Sequence, residues 1–188
     1  IQSLIYNKQE KEAVNYLTKF SKLTRQILEN SNESYVSLTE ELAMIDNYLV
    51  IQQLLYNNKF NFLIDVDESI DPESIVVPPM LTQPFIENAI WHGLMHKKNG
   101  GIINIAVTQS TEQSLLIEIS DNGVGRQAAA AYKSKSATRQ KSFGMKMTSE
   151  RISIINQIYK MEADIEINDI KDAFDNTAGT KVSIKIPV

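Results

Sequence analysis

Residues 1–57 contain neither glycine nor proline. These are the two residues that most strongly interrupt a helix, so their absence over this length favours helical structure. Apolar residues recur there at three- and four-residue steps, which predicts a single apolar stripe on a first helix. The stripe comprises Val14, Leu17, Phe20, Leu23, Ile27 and Leu28. The polar run 30–34 predicts that this helix then ends.

A second helix is predicted at about 38–56. Ser37, followed three residues later by Glu40, matches a capping box at its start. Because two amphipathic helices cannot bury both apolar stripes alone, we expect them to pack on a partner chain or on the following domain. The predicted apolar face of the second helix comprises Leu42, Ile45, Leu49, Gln52 and Leu55 or Tyr56.

The pattern changes at Lys59, where apolar and polar residues begin to alternate and predict a strand. An extended run at 75–77 and two prolines predict a helix at 80–92, with Pro84 in an early turn and Gly93 as its C-cap. Further strands are predicted at 102–109, 114–120, 163–169 and 180–187, and a helix at 145–160. The predicted fold class is α+β: a two-layer α/β sandwich over 58–188, preceded by an α-helical hairpin over 1–57.

The composition narrows the class of protein. It is 43% hydrophobic and 22% charged, as in soluble globular proteins, and the net charge of -4 argues against a nucleic-acid partner. The chain has no cysteine, which excludes disulfides and thiolate metal sites. No apolar run approaches the ~18–20 residues that span a bilayer. Because the chain opens on Ile1 within a helical pattern, we interpret it as a piece of a longer protein.

Residues 121–125, with the sequence Asp-Asn-Gly-Val-Gly, follow the apolar strand 115–120. Gly123 and Gly125 allow the backbone to approach a ligand closely. A carboxylate buried at the end of a strand needs a hydrogen-bonding partner, and the exocyclic amine of adenine would provide one for Asp121. The alternative is ordinary turn chemistry, in which Asp121 forms an Asx-turn that begins a loop.

Glu87, Asn88 and His92 lie on the short helix upstream of this turn, and Asn88 and His92 share a face because they are four residues apart. Asn88 offers an oxygen ligand to Mg²⁺, His92 could reach a phosphate, and Glu87 could act as a general base. The alternative is that Glu87 and Asn88 face solvent and that His92 caps the helix C-terminus. Trp91 is more typical of a core residue than of a ligand.

The segment 126–143 contains five lysines and arginines and no acidic residue. This composition is typical of a lid over a polyphosphate, and equally of a solvated surface loop. Gly144 then opens a predicted helix whose free backbone N–H groups could bind an anion, with Lys146 adding positive charge.

In this order the elements resemble the Bergerat ATP-binding (GHKL) domain, and most closely the LytS/YehU-type sensor histidine kinases. The run 79–93 is similar to their N-box, and 121–125 to their first glycine box. Residues 143–146 with 150–152 are similar to the second glycine box, and Gly179-Thr180 before the last strand also matches. The resemblance covers essentially the whole chain.

The resemblance implies a site for ATP and Mg²⁺. Asn88 would coordinate Mg²⁺, and Asp121 would accept a hydrogen bond from the adenine amine with support from Thr180. Glu87 is the candidate catalytic base. The other implied site residues are Gly123, Gly125 and Gly144, which would shape the pocket and lid hinges, and His92 and Lys146, which would contact phosphate.

Two positions depart from the family pattern. The family often has lysine where this chain has Trp91, which removes one phosphate contact. The second glycine box usually reads Gly-x-Gly, but here it reads Ser142-Phe143-Gly144, which alters the expected hinge of the lid.

The resemblance also implies a reaction and partners. In such kinases the γ-phosphate of ATP passes to a histidine and then to an aspartate of a response regulator, often one of LytTR type. Residues 1–57 would be what remains of the dimerisation and phosphotransfer helices, so we expect a homodimer. This chain would be a cytoplasmic domain of a protein anchored in the bacterial inner membrane. The rival functions are a GHKL-type ATP hydrolase or anti-sigma-type serine kinase, and a non-catalytic dimerisation module.

We predict that this chain binds Mg·ATP without autophosphorylating. These kinases carry the acceptor histidine in an Asn-Pro-His-Phe motif that would lie just before Ile1, and the only histidines in the chain are His92 and His96. Incubation with labelled ATP, followed by detection of acid-labile phosphohistidine, tests this. Label on the purified chain would contradict the prediction.

Overall fold

The computed structural model describes residues 10–30, 32–97, 99–126, 128–129, 156–157, 163–173 and 175–188. The chain divides into two compact units, one of Ile1–Asn58 with Pro72–Met80 and one of Lys59–Asp71 with Leu81–Val188. Within the described residues, no helix has the length and apolarity needed to cross a membrane. Most of the predicted basic lid, together with Gly144, Lys146 and most of the helix predicted at 145–160, lies outside the described residues.

The first unit is built on two helices, α1 (Glu10–Asn30) and α2 (Leu38–Leu55). The predicted capping box at the start of α2 is confirmed: the Glu40 N–H donates to Ser37 Oγ at 3.2 Å, and the Ser37 N–H donates to Glu40 Oε2 at 2.9 Å. A small antiparallel pair, β1 (Val36–Ser37) with β3 (Val76–Val77), completes the unit.

The predicted single stripe on α1 was wrong. Leu23 is buried and packs with Met44 and Ile51 of α2, whereas Val14 and Leu17 are 62% and 45% exposed. The reason is geometric, because each three-residue step rotates about 60° short of a full turn, so nine residues reach the opposite side of a helix. Helix α1 therefore has two apolar faces, of which one packs on α2 and the other is exposed.

The predicted buried face of α2 is confirmed for Ile45, Leu49 and Gln52, while Leu55 is 49% exposed. Met44 and Ile51 are buried as well, on the side that meets α1. Helix α2 is therefore buried on more than one side, as expected for the central element of its unit.

The second unit contains a sheet of five strands, which are β2 (Phe60–Val66), β4 (Gly101–Thr111), β5 (Ser114–Asp121), β6 (Asp164–Lys171) and β7 (Thr177–Pro187). Their order in the sheet is β2-β4-β5-β7-β6. Strands β2 and β4 pair in parallel, and all other neighbours are antiparallel. The α+β fold class is confirmed, and every strand predicted in this unit is present within a few residues.

A short helix lies against the inner face of this sheet. Helix α3 (Gln83–Asn88) continues without a break into a π-helical turn (Ala89–Leu94), which contacts β4, β5 and β7. We call the two together the N-box helix. It begins three residues later than predicted, because Met80 has a positive φ of 58°. Pro84 lies in the first turn as predicted, but the predicted Gly93 C-cap was wrong, since the C-cap is Met95.

Candidate functional site

The site is centred on Asp121, the last residue of β5. Its backbone pairs with Ile103 of β4 on one side and with Thr180 of β7 on the other. The side chain is only 5% exposed, and its Oδ1 accepts a hydrogen bond from the Gly123 N–H at 2.7 Å. This contact is the Asx-turn that the sequence offered as an alternative, so the turn chemistry and the buried carboxylate coexist.

Burial raises the pKa of Asp121 from its ordinary value of 3.8 to about 6. The backbone N–H groups of Gly123 and Thr180, and the positive charge of Lys97, act in the opposite direction and lower this pKa. Lys97 is fixed nearby because its Nζ donates to the Asn122 carbonyl at 2.7 Å. The carboxylate is therefore mostly ionised at neutral pH, although burial makes ionisation costly.

Gly93 brings the N-box helix directly against Asp121. A Cβ atom at Gly93 would lie 2.6 Å from Asp121 Oδ1, and a Cβ at Gly123 would overlap the backbone of Gly93. The Val124 N–H also donates to the Gly93 carbonyl at 3.1 Å. We call residues 122–125 the glycine turn. The N-box helix can contact this turn only because positions 93 and 123 are glycines.

The π-helical turn places the polar residues of the N-box helix on the same side as Gly93. Asn88 ends α3, and His92 and Gly93 lie within the π-helical turn. All three line one cavity of about 210 Å³ together with Asp121. Single turns of π-helix are found frequently at functional sites.

The walls of this cavity are mostly apolar. They come from the N-box helix and from three strands of the sheet, through Phe85, Ala89, Ile119, Ile167 and Val182. The volume is below the ~300–1,000 Å³ typical of sites for drug-sized ligands, so it suits a single flat ring system. An apolar slot that ends in a buried carboxylate can hold such a ring when the ring carries an N–H donor, as an aminopurine does.

Several predicted site residues converge on the cavity. Asn88, His92, Asp121, Gly125 and Thr180 all line it. Gly123 supports it from behind through its N–H and its contact with Gly93.

Glu87 does not line the cavity. Its Oε1 accepts a hydrogen bond from Gln83 Nε2 at 2.9 Å, one turn back on its own helix. Its role as a base stays a prediction, and Gly144 and Lys146 lie outside the described residues.

Two contributors were not identified from the sequence. Gly93 was assigned to a helix cap, whereas it makes the close contact with Asp121. Arg126 was seen only as part of a basic segment, whereas it lines the cavity and pairs with Asp169, 43 residues away. The Gly93 contact could have been inferred from the sequence, because a glycine directly after the candidate site residue His92 allows close approach of another backbone. No local pattern reveals the pairing partner of Arg126.

The sequence is similar to one family model and to two bacterial proteins. The family model described as Histidine kinase matches residues 1–60. LytS, a sensor histidine kinase/phosphatase of Staphylococcus aureus, is 33% identical over 125 residues, which is 66% of this chain and 21% of LytS. YwpD of Bacillus subtilis is 29% identical over 169 residues, which is 89% of this chain and 56% of YwpD. The chain thus spans about half of YwpD and a fifth of LytS.

Solved structures show the same fold. The catalytic domain of histidine kinase ThkA matches with a TM-score of 0.53 at 15% identity, covering 81% of this chain and 93% of that domain. The mycobacterial sensor histidine kinase MprB matches with a TM-score of 0.55 at 15% identity, covering 81% and 95%. The resemblance to LytS-type sensor histidine kinases and the fold of a histidine-kinase catalytic domain are confirmed.

We predict that Asp121→Asn changes how stability depends on pH. Because the pKa of Asp121 is raised in the folded state, its stabilising contribution is complete below about pH 4 and is lost as pH rises through about 6. The unmodified chain should lose about 2.5 kcal/mol of unfolding free energy between pH 4 and pH 8 that the variant keeps. Urea unfolding at both pH values measures this.

Asp65→Asn, on the exposed part of β2, serves as the matched control and should follow the unmodified chain. Identical pH dependence of the Asp121→Asn variant and the unmodified chain would show that the carboxyl is not strained by burial.

Proposed function

We propose that this homologue of the LytS sensor histidine kinases binds Mg·ATP in the cavity at Asp121 and forms the kinase part of a two-component sensor. The observation that carries the proposal is the buried Asp121 carboxylate at the end of an apolar slot. A group so costly to bury is retained where a ligand uses it. The adenine amine would donate to the carboxylate, while the ring would pack on Phe85, Ile119 and Val182.

The phosphate end of the nucleotide would lie near the N-box helix. Asn88 and His92 line the same cavity as Asp121, and both can meet a polyphosphate through directed hydrogen bonds. Mg²⁺ needs few protein ligands, since it keeps waters and shares phosphate oxygens, so the single amide oxygen of Asn88 suits it. When bound, Mg²⁺ supplies charge neutralisation on the phosphates.

Phosphoryl transfer depends mainly on positioning and on electrostatic stabilisation. We propose that Asp121 and Asn88 hold the two ends of the nucleotide, so that the terminal phosphate is presented for transfer. The acceptor would be a histidine of the intact kinase, and an aspartate of a response regulator of LytTR type would receive the phosphoryl group next. Glu87 remains the candidate base, although it would need to exchange its bond to Gln83 to act.

Residues 1–57 would belong to the dimerisation and phosphotransfer helices, and residues 58–188 to the ATP-binding domain. The histidine-kinase family match over residues 1–60 supports the first assignment. The kinase domain would lie in the cytoplasm, in a protein anchored in the inner membrane. Neither assignment requires a nucleic-acid partner.

The rival functions make different demands. If the chain were a GHKL-type ATP hydrolase, it would release phosphate steadily from Mg·ATP without another protein. If it were an anti-sigma-type kinase, it would phosphorylate a serine of a protein substrate. A non-catalytic dimerisation module would bind no nucleotide.

We predict that calorimetric titration detects Mg·ATP binding and that Asp121→Ala weakens it about 10- to 100-fold. A hydrogen bond to a charged group contributes about 1.5–3 kcal/mol, which corresponds to that range. Asp65→Ala removes an equal charge from the exposed part of β2 and should leave the affinity unchanged. Circular dichroism confirms that each variant is folded, and equal affinity of Asp121→Ala and the unmodified chain would refute the assignment.

We predict that the chain forms a homodimer through the exposed apolar face of α1. Val14, Leu17 and Phe20 are each 45–62% exposed, although an isolated soluble helix pair would be expected to present polar residues there. Val14→Glu with Leu17→Glu should produce a monomer, whereas Asn15→Glu on another side of α1 should not. Sedimentation equilibrium measures this, and a monomeric unmodified chain at high concentration would contradict the proposal.

A further inference from the structure

The residue after the glycine turn forms an ion pair with the edge strand of the sheet. Arg126 Nε donates to Asp169 Oδ1 at 2.6 Å, and its second guanidinium nitrogen donates to Asp169 Oδ2 at 2.9 Å. This two-pronged geometry is the strong form of a charge-assisted pair. The hydrogen bond from Arg126 also lowers the pKa of the Asp169 carboxyl, which keeps the pair ionised.

The pair lies on the same row of the sheet as Asp121. Thr180 of β7 pairs in register with Asp121 of β5 on one side and with Asp169 of β6 on the other. Neighbouring residues in register point to the same face, so all three side chains lie on the face that carries the cavity. The backbones of Asp121 and Asp169 are two strand spacings apart, about 10 Å.

A second contact fastens the same short segment. Gly125 has a φ of 77°, and a Cβ atom there would overlap the side chain of Thr177 at the start of β7. Gly125 is thus held to β7 by close packing, and Arg126 is held to β6 by charge. Ala129, four residues after Gly125, is buried and lines the cavity together with Arg126.

We propose that the Arg126–Asp169 pair is a positioning element that holds Gly125, Arg126 and Ala129 in place as the cavity wall against which the nucleobase packs. This inference rests on the proposed nucleotide function and assigns that function a further pair of residues. Arg126 acts through the wall it fixes and not by contact with phosphate. Without the pair, Ala129 and the glycine turn lose their lateral support, and the slot for the base widens.

The test compares two ligands that share a base, adenosine and Mg·ADP. Arg126→Met keeps the length of the side chain and removes the charge, while Asp169→Asn keeps the shape and removes the opposite charge. Each variant should lower the affinity for both ligands by the same factor, about fivefold. The double variant should bind no more weakly than either single variant. Arg126→Lys should recover only part of the affinity, because lysine cannot offer the two-pronged contact.

The sheet provides a matched control. Lys181 and Glu118 form an ion pair at 2.6 Å with similar side-chain exposure, 41% and 29% against 37% and 24% for Arg126 and Asp169, but on the opposite face of the sheet. Lys181→Met should leave both affinities unchanged. All titrations are made at a temperature at which circular dichroism shows each variant folded, so a role confined to fold stability leaves the affinities equal.

The outcomes are distinct. Equal affinity of the Arg126 and Asp169 variants and the unmodified chain would overturn the positioning role while leaving the proposed function intact. A loss confined to Mg·ADP would also overturn it, since Arg126 would then act on phosphate directly. Failure of the unmodified chain to bind either ligand would instead reject the proposed function.

Discussion

The contact between Gly93 and the glycine turn determines the geometry of the rest of the site. It brings the end of the N-box helix so close to β5 that no side chain fits at Gly93 or Gly123. Asn88 and His92 precede this contact on the helix, and Asp121 precedes it on the strand. A single backbone approach therefore brings residues from two distant parts of the sequence onto one cavity, and any displacement there would separate them.

The same contact explains why the ionised Asp121 side chain lowers the stability of the fold. The carboxylate is enclosed by the helix backbone on one side and by β7 on the other, so it loses most of its hydration. Two backbone N–H groups and the nearby charge of Lys97 offset only part of this loss, and the pKa remains raised. Strain of this kind persists in functional sites because the surrounding structure supplies the stability that the site lacks.

The sequence predicted local structure well wherever the pattern was local. The capping box at Ser37, the strand alternation and the Asx-turn at Asp121 all depend on residues close together in the chain, and all are present. Contacts between distant residues decided the features that the sequence did not reveal. Gly93 was predicted to end a helix because glycine does so on average, but its contact with Asp121 lies 28 positions away. The apolar stripe of α1 was predicted from spacing alone, and only the position of α2 shows which half is covered.

Thr180 faces the cavity because the register of β7 alternates Thr180, Val182, Ile184 and Ile186 inward with Lys181, Ser183 and Lys185 outward. A slip of one residue would exchange the two sets and put Lys181 between Asp121 and Asp169. That arrangement attracts electrostatically, yet a lysine paired in this way contributes only about 1–3 kcal/mol. Exposing one valine and two isoleucines would cost roughly 5–9 kcal/mol, which prevents the slip. By fixing the register, the aliphatic residues of β7 therefore keep Lys181 out of the cavity, although two of them, Ile184 and Ile186, do not line it.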